Sequence, residues 1–225
     1  MKKMWFLALL FTNGVFSQEY QASYRVTFVG EWSATSHPID YPNNAHFSAL
    51  IGHTHNAQGS IWGPGILASP GVENMAETGS TLRMSQEINA LINDGHAELR
   101  LLGSQPGALS SVSIVFDITE SHPLVSLTTM IAPSPDWFVG VHDLNLMRSG
   151  LWQEEVIVDL LPYDSGTDDG VTFTSPDADT DPADPISRIT SSPFPNNVPL
   201  AAMMFTRLST TGQPPDDIFL AGFDE

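Results

Sequence analysis

The sequence predicts a mainly β protein of the size expected for a single β-sandwich. Two segments carry this prediction, because apolar and polar residues alternate along residues 24–28 and 112–118, as they do in a strand with one buried face. Other segments rich in β-branched or aromatic residues are bounded by Gly, Pro, Asn or Asp, which indicates further strands and turns. These segments are 47–51, 124–132, 137–141, 156–161 and 200–208.

One segment, STLRMSQEINALINDG, breaks the β pattern. Its apolar residues recur at helical spacing and predict an amphipathic helix with one buried face. They are Met84, Ile88, Leu91 and Ile92. Ser80 is placed to cap this helix, and Gly95 is placed to end it. A shorter helical turn is predicted over 72–77, and the Pro- and Asp-rich stretch 175–197 is predicted to be a long loop, either ordered along the surface or mobile.

The first residues have the features of a secretory signal. Lys2 and Lys3 precede the apolar run 4–11, and a small-residue pattern suits cleavage near Ser17. The predicted organisation is a signal peptide (1–17), one domain (18–208) and a C-terminal tail (209–225). The apolar run is shorter than the roughly 20 residues of a membrane-spanning helix, so no transmembrane segment is predicted. We expect a secreted protein, extracellular or, in a bacterium, located in the periplasm or cell envelope.

The charge of the chain excludes some classes of partner. Cleavage after Ser17 removes two of the eight basic residues and leaves six against 26 acidic ones, a formal net charge of −20. Such a chain is repelled by nucleic acid and by anionic lipid headgroups. It contains no cysteine, so its stability must come from its core or from a bound metal. The charge therefore favours cations as partners.

Aspartates are concentrated around the stretch LLPYDSGTDDGVTF. Eight of them lie between Asp159 and Asp184, with no Glu, Lys or Arg. Short carboxylates in Gly-rich turns can converge on one cation, so Asp164 and Asp168 are candidate ligands. Asp136, in the Pro-stiffened turn APSPDWFVG, is the third candidate. The alternative is a solvated acidic loop. That interpretation is favoured for Asp177, Asp179, Asp181 and Asp184.

Histidines raise a second metal hypothesis. In His53-Thr-His55 both imidazoles lie on one face of a strand, a spacing that zinc can use. No H-E-x-x-H frame or nucleophile elbow accompanies them, so a polar packing role is favoured and no enzyme is predicted. A metal-dependent hydrolase with His53 and His55 as ligands is the alternative function. A structural cell-envelope component is a further alternative.

Five stretches, taken in order, resemble the spondin domain, the module found near the N terminus of F-spondin, in mindin and in single-domain bacterial proteins. They are YRVTFVGEWSATSHPIDYP, HFSALIGHTHN, IWGPGILASPGVENMAETGS, MIAPSPDWFVGV and DLLPYDSGTDDGVTF. Together they extend from about residue 24 to about residue 208. The resemblance covers nearly all of the chain that follows the predicted signal peptide.

The resemblance implies an eight-stranded antiparallel β-sandwich similar to the calcium-dependent phospholipid-binding domains, with calcium at one end. The family's calcium carboxylates correspond to Asp136, Asp164 and Asp168, whereas Asp169 has no fixed acidic counterpart. We therefore expect a calcium-binding adhesion or ligand-binding module that is monomeric and not catalytic. Its partner would be an unidentified protein or glycan at the cell surface or in the matrix.

Overall fold

The computed structural model describes residues 19–214, which form two packed β-sheets with two helices on the outer face of one of them. In chain order the elements are β1 (Gln21–Gly30), β2 (His46–Phe47), β3 (Ile51–His55), α1 (Pro70–Thr78), α2 (Leu82–Asn93), β4 (Ala97–Leu102), β5 (Ser111–Thr119), β6 (Leu124–Ala132), β7 (Trp137–Asn145), β8 (Met147–Arg148), β9 (Leu151–Trp152), β10 (Glu155–Leu160), β11 (Tyr163–Asp164), β12 (Ser187–Arg188) and β13 (Ala201–Thr211). Eight of these strands have five residues or more, in agreement with the number that the resemblance implies.

The two sheets are antiparallel throughout the described residues. The smaller sheet has the order β10-β13-β1-β5, and the larger has the order β12-β11-β7-β6-β3-β4, with β2 also paired to β6. Strands β8 and β9 form a separate hairpin. The predicted fold class, an antiparallel β-sandwich with short helices, is confirmed.

The first hydrophobic core lies between the sheets. Tyr24, Val26 and Phe28 of β1 point into it and are at most 1% exposed, whereas the intervening Arg25 is exposed. From the larger sheet, β7 contributes Trp137, which is also buried. The period-two pattern of β1 therefore predicted its buried face correctly.

A second core lies between the larger sheet and the helices. Met84 and Ile88 of α2 are fully buried in it, while Leu91 and Ile92 are half-buried. The predicted buried face of α2 is confirmed, and the helix packs outside the sandwich rather than between its sheets. Because helices cover the larger sheet, eight of the nine residues of β6 are buried.

Several predicted boundaries were wrong. The segment 47–51 is interrupted, since β2 ends at Phe47 and β3 begins only at Ile51. Strand β4 was missed, although Ala97, Leu99 and Leu101 alternate with Glu98 and Arg100, because this alternation is only five residues long and three of the six strand residues are exposed. The residue at the N-cap of α2 is Thr81 rather than Ser80, although Ser80 Oγ accepts a 3.4 Å hydrogen bond from the Leu82 amide.

Helix α1 is longer than the predicted turn. The Ser69 hydroxyl accepts a 3.2 Å hydrogen bond from the Val72 amide, and Pro70 follows as the first helical residue. Both features favour helix initiation. The predicted loop 175–197 is ordered along the surface and contains the short strand β12.

The predicted termini fall largely outside the described part of the chain. The signal peptide over 1–17 lies outside it, as does most of the tail over 209–225. Strand β13 continues past residue 208 to Thr211. Within residues 19–214, every helix is too short or too polar to cross a bilayer.

Candidate metal centre

The acidic turn and Asp136 meet at one end of the sandwich. Strand β11 pairs with the start of β7, and Asp164 lies opposite Trp137 in that register. The turn that follows β11 is therefore brought against the loop that precedes β7. The two loops that the sequence analysis paired are neighbours in the fold.

Asp136 is the buried centre of this arrangement. Its side chain is 0% exposed. Its Oδ2 accepts hydrogen bonds from the Ser165 hydroxyl at 2.9 Å, from the Thr167 amide at 2.9 Å and from the Asp168 amide at 3.3 Å. The turn is thus folded around one carboxylate oxygen.

The other oxygen of this carboxylate has no partner. Asp136 Oδ1 is buried without a hydrogen bond, and no Arg or His among residues 19–214 forms an ion pair with Asp136. A buried carboxylate without a compensating charge is strongly unfavourable. An oxygen-binding cation fits this orphaned oxygen.

Asp164 and Asp168 shape the turn with their own side chains. Asp164 Oδ1 accepts from the Gly166 amide at 2.8 Å, and Asp168 Oδ1 accepts from the Gly170 amide at 2.6 Å. The second oxygen of Asp168 accepts from the Ala178 amide at 3.0 Å. Both residues make Asx-type turns, so each commits at least one oxygen to the backbone.

Gly166 is required by this geometry. Its φ is +77°, and a Cβ there would lie 2.1 Å from the Asp184 carbonyl oxygen. Only glycine combines this backbone conformation with such close approach. The loop that carries Asp184 is thereby pressed against the acidic turn.

Burial and mutual repulsion raise the pKa values of the carboxyls. Burial is the main cause of the raised pKa of Asp136, although hydrogen bonds from Thr167, Ser165 and Asp168 offset it. Burial, followed by the charge of Asp136, raises the pKa of Asp164 to about 6. Ionisation of these carboxyls therefore carries an electrostatic penalty that a bound cation would reduce.

The side chains are not arranged as a finished coordination shell. Among residues 19–214, no three His, Asp or Glu side chains are spaced so that together they could hold a metal ion. The remaining aspartates do not complete the set. Asp177, Asp179, Asp181 and Asp184 are exposed, as the solvated-loop interpretation predicts, and so is Asp169.

Comparison with known proteins shows the family of this chain. The model of the Spondin_N family matches residues 22–205. The chain belongs to the spondin family. It is 38% identical to Spondin-2 of Rattus norvegicus over 177 residues, which is 76% of this chain and 53% of that protein. Spondin-2 of Homo sapiens gives the same values.

Spondin-1 of Xenopus laevis is 36% identical over 209 residues, which is 85% of this chain and 26% of the relative. The chain thus spans about half the length of Spondin-2 and about a quarter of Spondin-1. The family resemblance stated from the sequence motifs is confirmed.

The spondin domain contains one nearby carboxylate that the sequence analysis missed. Glu77, in the last turn of α1, lines the same surface pocket as Asp168. Burial is the main cause of its raised pKa, a hydrogen bond with Thr167 opposes the rise, and the charges of Asp136 and Asp168 add to it. Glu77 lies in the quoted motif GVENMAETGS, but only the packing of α1 places it near the acidic turn.

The two strand histidines of the spondin domain do not form part of this centre. His53 and His55 are fully buried and stack with ring centroids 4.6 Å apart. His53 Nε2 bonds to the Gly59 carbonyl at 2.7 Å, and His55 Nδ1 bonds to the Asn56 carbonyl at 2.8 Å. These contacts give both rings the packing role that the sequence analysis favoured.

Proposed function

We propose that this spondin-family protein is a secreted calcium-binding module for adhesion or ligand binding, without catalytic activity. Asp136, Asp164 and Asp168 would hold the ion at one end of the sandwich. The partner would be a protein or glycan of the cell surface or matrix. Calcium would act structurally, by joining the loops on which that end of the domain depends.

One observation carries the calcium proposal. Asp136 is completely buried, its Oδ1 lacks a hydrogen bond, and it forms no ion pair within residues 19–214. Without a cation the fold would bear the cost of a buried carboxylate that no opposite charge offsets. A carboxylate that is retained at such a position is best explained by a ligand that neutralises it.

The chemistry of the surroundings favours calcium over a transition metal. The candidate ligands are carboxylates, and backbone carbonyls and hydroxyls lie in the same turn, whereas zinc sites are usually built from His and Cys. Calcium takes 6–8 oxygen ligands, so three carboxylates need carbonyls and water to complete the shell. We expect a dissociation constant of about 10⁻⁴–10⁻³ M, the range of extracellular modules.

The adhesion or ligand-binding role is supported by family membership. The match covers residues 22–205, which is nearly all of the described chain. The relatives Spondin-2 and Spondin-1 are longer, so roles of their complete chains belong to this protein only as proposals. The alternative of a His-ligated hydrolase gains no support from His53, whose Nε2 is bonded to the Gly59 carbonyl.

Thermal unfolding with and without calcium tests the proposal. At a free calcium concentration of about ten times the dissociation constant, linkage contributes about 1.4 kcal/mol, and we expect a corresponding rise in Tm. Chelation should reverse the rise. Magnesium should replace calcium poorly, because it requires a smaller octahedral shell. Identical melting curves in calcium and in chelator, together with no calorimetric binding heat, would sink the proposal.

A further inference from the structure

Five of the seven histidines surround one short segment, residues 56–63, which crosses the outer face of the larger sheet. These are His53, His55, His96, His122 and His142. The segment begins where β3 ends and leads to Trp62, which is fully buried against Phe138 and Tyr163. The histidines therefore lie where this segment is attached to the sandwich.

Imidazole rings make the attachments. His53 Nε2 bonds to the Gly59 carbonyl at 2.7 Å, and His55 Nδ1 bonds to the Asn56 carbonyl at 2.8 Å. Because a carbonyl oxygen only accepts, these two ring nitrogens carry the proton in the neutral rings. Asn56 is held further by the His96 carbonyl, which accepts from its amide at 3.0 Å.

A second proton on His53 would have no acceptor. Its Nδ1 is buried and has no hydrogen-bond partner within the described residues, and the whole residue is 0% exposed. The ring also stacks on His55 at 4.6 Å with an interplanar angle of 29°. Protonation would therefore place an unsatisfied N–H and a positive charge in a dry contact between two rings.

Burial lowers the pKa of His55 as well, but the hydrogen bond to Asn56 and the charge of Asp143 oppose this effect. His55 Nε2 lies 2.9 Å from Ser126 Oγ and 3.6 Å from Asp143 Oδ1, so an added proton would face a hydroxyl and a carboxylate. Asp143 sits at φ +49°, in the bulge where β7 passes Ser126. The Asp143 carboxylate also accepts from the Ser60 hydroxyl at 3.0 Å and thus holds the middle of the segment.

The segment is packed too closely to accommodate a shift of these rings. A Cβ at Gly59 would lie 2.4 Å from the His96 carbonyl oxygen and 2.7 Å from His55 Cβ. The Gly59 backbone is therefore wedged between a carbonyl group and an imidazole side chain. A ring that takes up charge and needs water must displace the segment.

We propose that His53 and residues 56–60 of this segment form a proton-sensitive latch, in which protonation of His53 releases these five residues from the sheet while the sandwich stays folded. The released state exposes the outer ends of β3 and β7. It also frees the Asp143 carboxylate from Ser60.

The other charged groups around the latch modulate this transition. Asp143 lies 3.6 Å from His55 and 3.8 Å from His142, and its charge opposes the lowering of the His55 pKa. Glu98 lies 3.8 Å from His122, whose Nε2 contacts the Gly95 carbonyl at 3.2 Å. His96 contacts the segment through its backbone carbonyl group, which accepts from the Asn56 amide. Burial is the main cause of the lowering of the His53 pKa to about 4, the Gly59 hydrogen bond opposes it, and the nearby His55 adds to it.

The sign of the pH effect follows from that lowered value. The latched state favours the neutral ring, so the latch is fully closed above the ordinary histidine pKa of 6.5 and weakens as the pH falls from 6.5 towards 4. Over that window the equilibrium constant for opening should rise about tenfold for each pH unit.

Amide hydrogen exchange of the intact protein measures this opening. After correction for intrinsic rates, protection of the Asn56 and Gly59 amides should fall about tenfold per pH unit below about pH 6. Protection of the β1 and β13 amides should not follow this slope. In His53→Gln, whose amide can donate to the Gly59 carbonyl but takes up no proton, the slope should become much shallower, with only the smaller contribution of His55 left. His46→Gln, at a half-buried ring on β2, is the control and should keep it.

Two results would overturn the latch. One is a wild-type slope in His53→Gln, which would assign the pH dependence to other groups. If this variant fails to fold, an NMR titration of the wild-type rings replaces it. In that titration, the latch is overturned if the His53 ring titrates near 6.5, or if the chemical shifts of the amides of 56–60 do not follow the titration of that ring.

Discussion

Gly170 and Pro135 hold the two acidic loops in direct contact. A Cβ on Gly170 would lie 2.5 Å from Pro135 Cγ and 2.8 Å from Asp168 Oδ1. The Gly170 amide also donates a 2.6 Å hydrogen bond to Asp168 Oδ1 in the same turn. The spacing between the Asp136 loop and the Asp168 turn is therefore set by the absence of a side chain at Gly170.

Gly170→Ala should force these loops apart. Overpacking of this kind costs about 1–3 kcal/mol, and Pro135 cannot rotate away as a flexible side chain would. We expect a lower Tm and weaker calcium binding, measured by thermal unfolding and calorimetry. Gly63→Ala is the matched control, because a Cβ at Gly63 would meet only His142 Nδ1 at an ordinary 3.7 Å. Equal changes in Tm and in calcium affinity in the two variants would show that the loops accommodate a Cβ at Gly170 without cost.

Asp136→Asn should separate the destabilisation that the buried charge causes without calcium from the stabilisation that it provides by binding calcium. The amide keeps the size of the side chain and an oxygen that can accept from the Thr167 amide, but it removes the charge. In chelator the variant should melt at or above the wild-type Tm, because burial disfavours the ionised form of Asp136. In calcium it should melt lower than the wild type, since the rise in Tm is lost.

Asp159→Asn is the control for charge removal. Asp159 lies in the same aspartate-rich stretch but is exposed on β10. This variant should keep the full calcium-induced rise in Tm. If Asp136→Asn also keeps that rise, the ion does not bind at Asp136.

The sequence predicted the sandwich well because strand alternation and turn residues are local signals. The period-two pattern of β1 and the bounds of β6 were read directly from the chain. Strand β4 was missed because its alternation covers only five residues, and its pairing with β3 and its contact with α2 decide that this short segment forms a strand. The local signal fails where tertiary contacts decide the conformation.

The candidate site was predictable only in part, for the same reason. Asp136, Asp164 and Asp168 lie in Gly- and Pro-shaped turns, which mark them in the sequence. Glu77 lies in an ordinary helix and reaches the site only because α1 packs on β6 and β7. The orphaned Oδ1 of Asp136 likewise has no signature in the sequence, because it follows from burial.

Glu77→Gln should weaken calcium binding without disrupting the fold. The wild-type carboxylate lines a pocket shared with Asp168, so its negative charge favours a cation there. Loss of one charge near a divalent ion in a partly solvated pocket should cost about 1 kcal/mol, or roughly fivefold in affinity by calorimetry. Glu155→Gln, at an exposed position on β10, should leave the affinity unchanged. Identical affinities in the two variants would show that Glu77 is electrostatically remote from the ion.

Calcium stabilisation should disappear as the pH falls through about 6. Burial and the charge of Asp136 raise the pKa of Asp164 from 3.8 to about 6. The protonated carboxyl therefore stabilises the calcium-free fold fully below pH 3.8, and this stabilisation is lost as the pH rises through about 6. Calcium requires the ionised form and competes with this proton. Melting curves in calcium and in chelator should therefore differ most at about pH 7.5 and converge near about pH 5.

Titration of His53 affects both curves and cancels in their difference. Asp164→Asn removes the raised group, so the remaining difference should be smaller and should persist to lower pH. A difference that stays constant from pH 7.5 to 5 would place the ion away from Asp164.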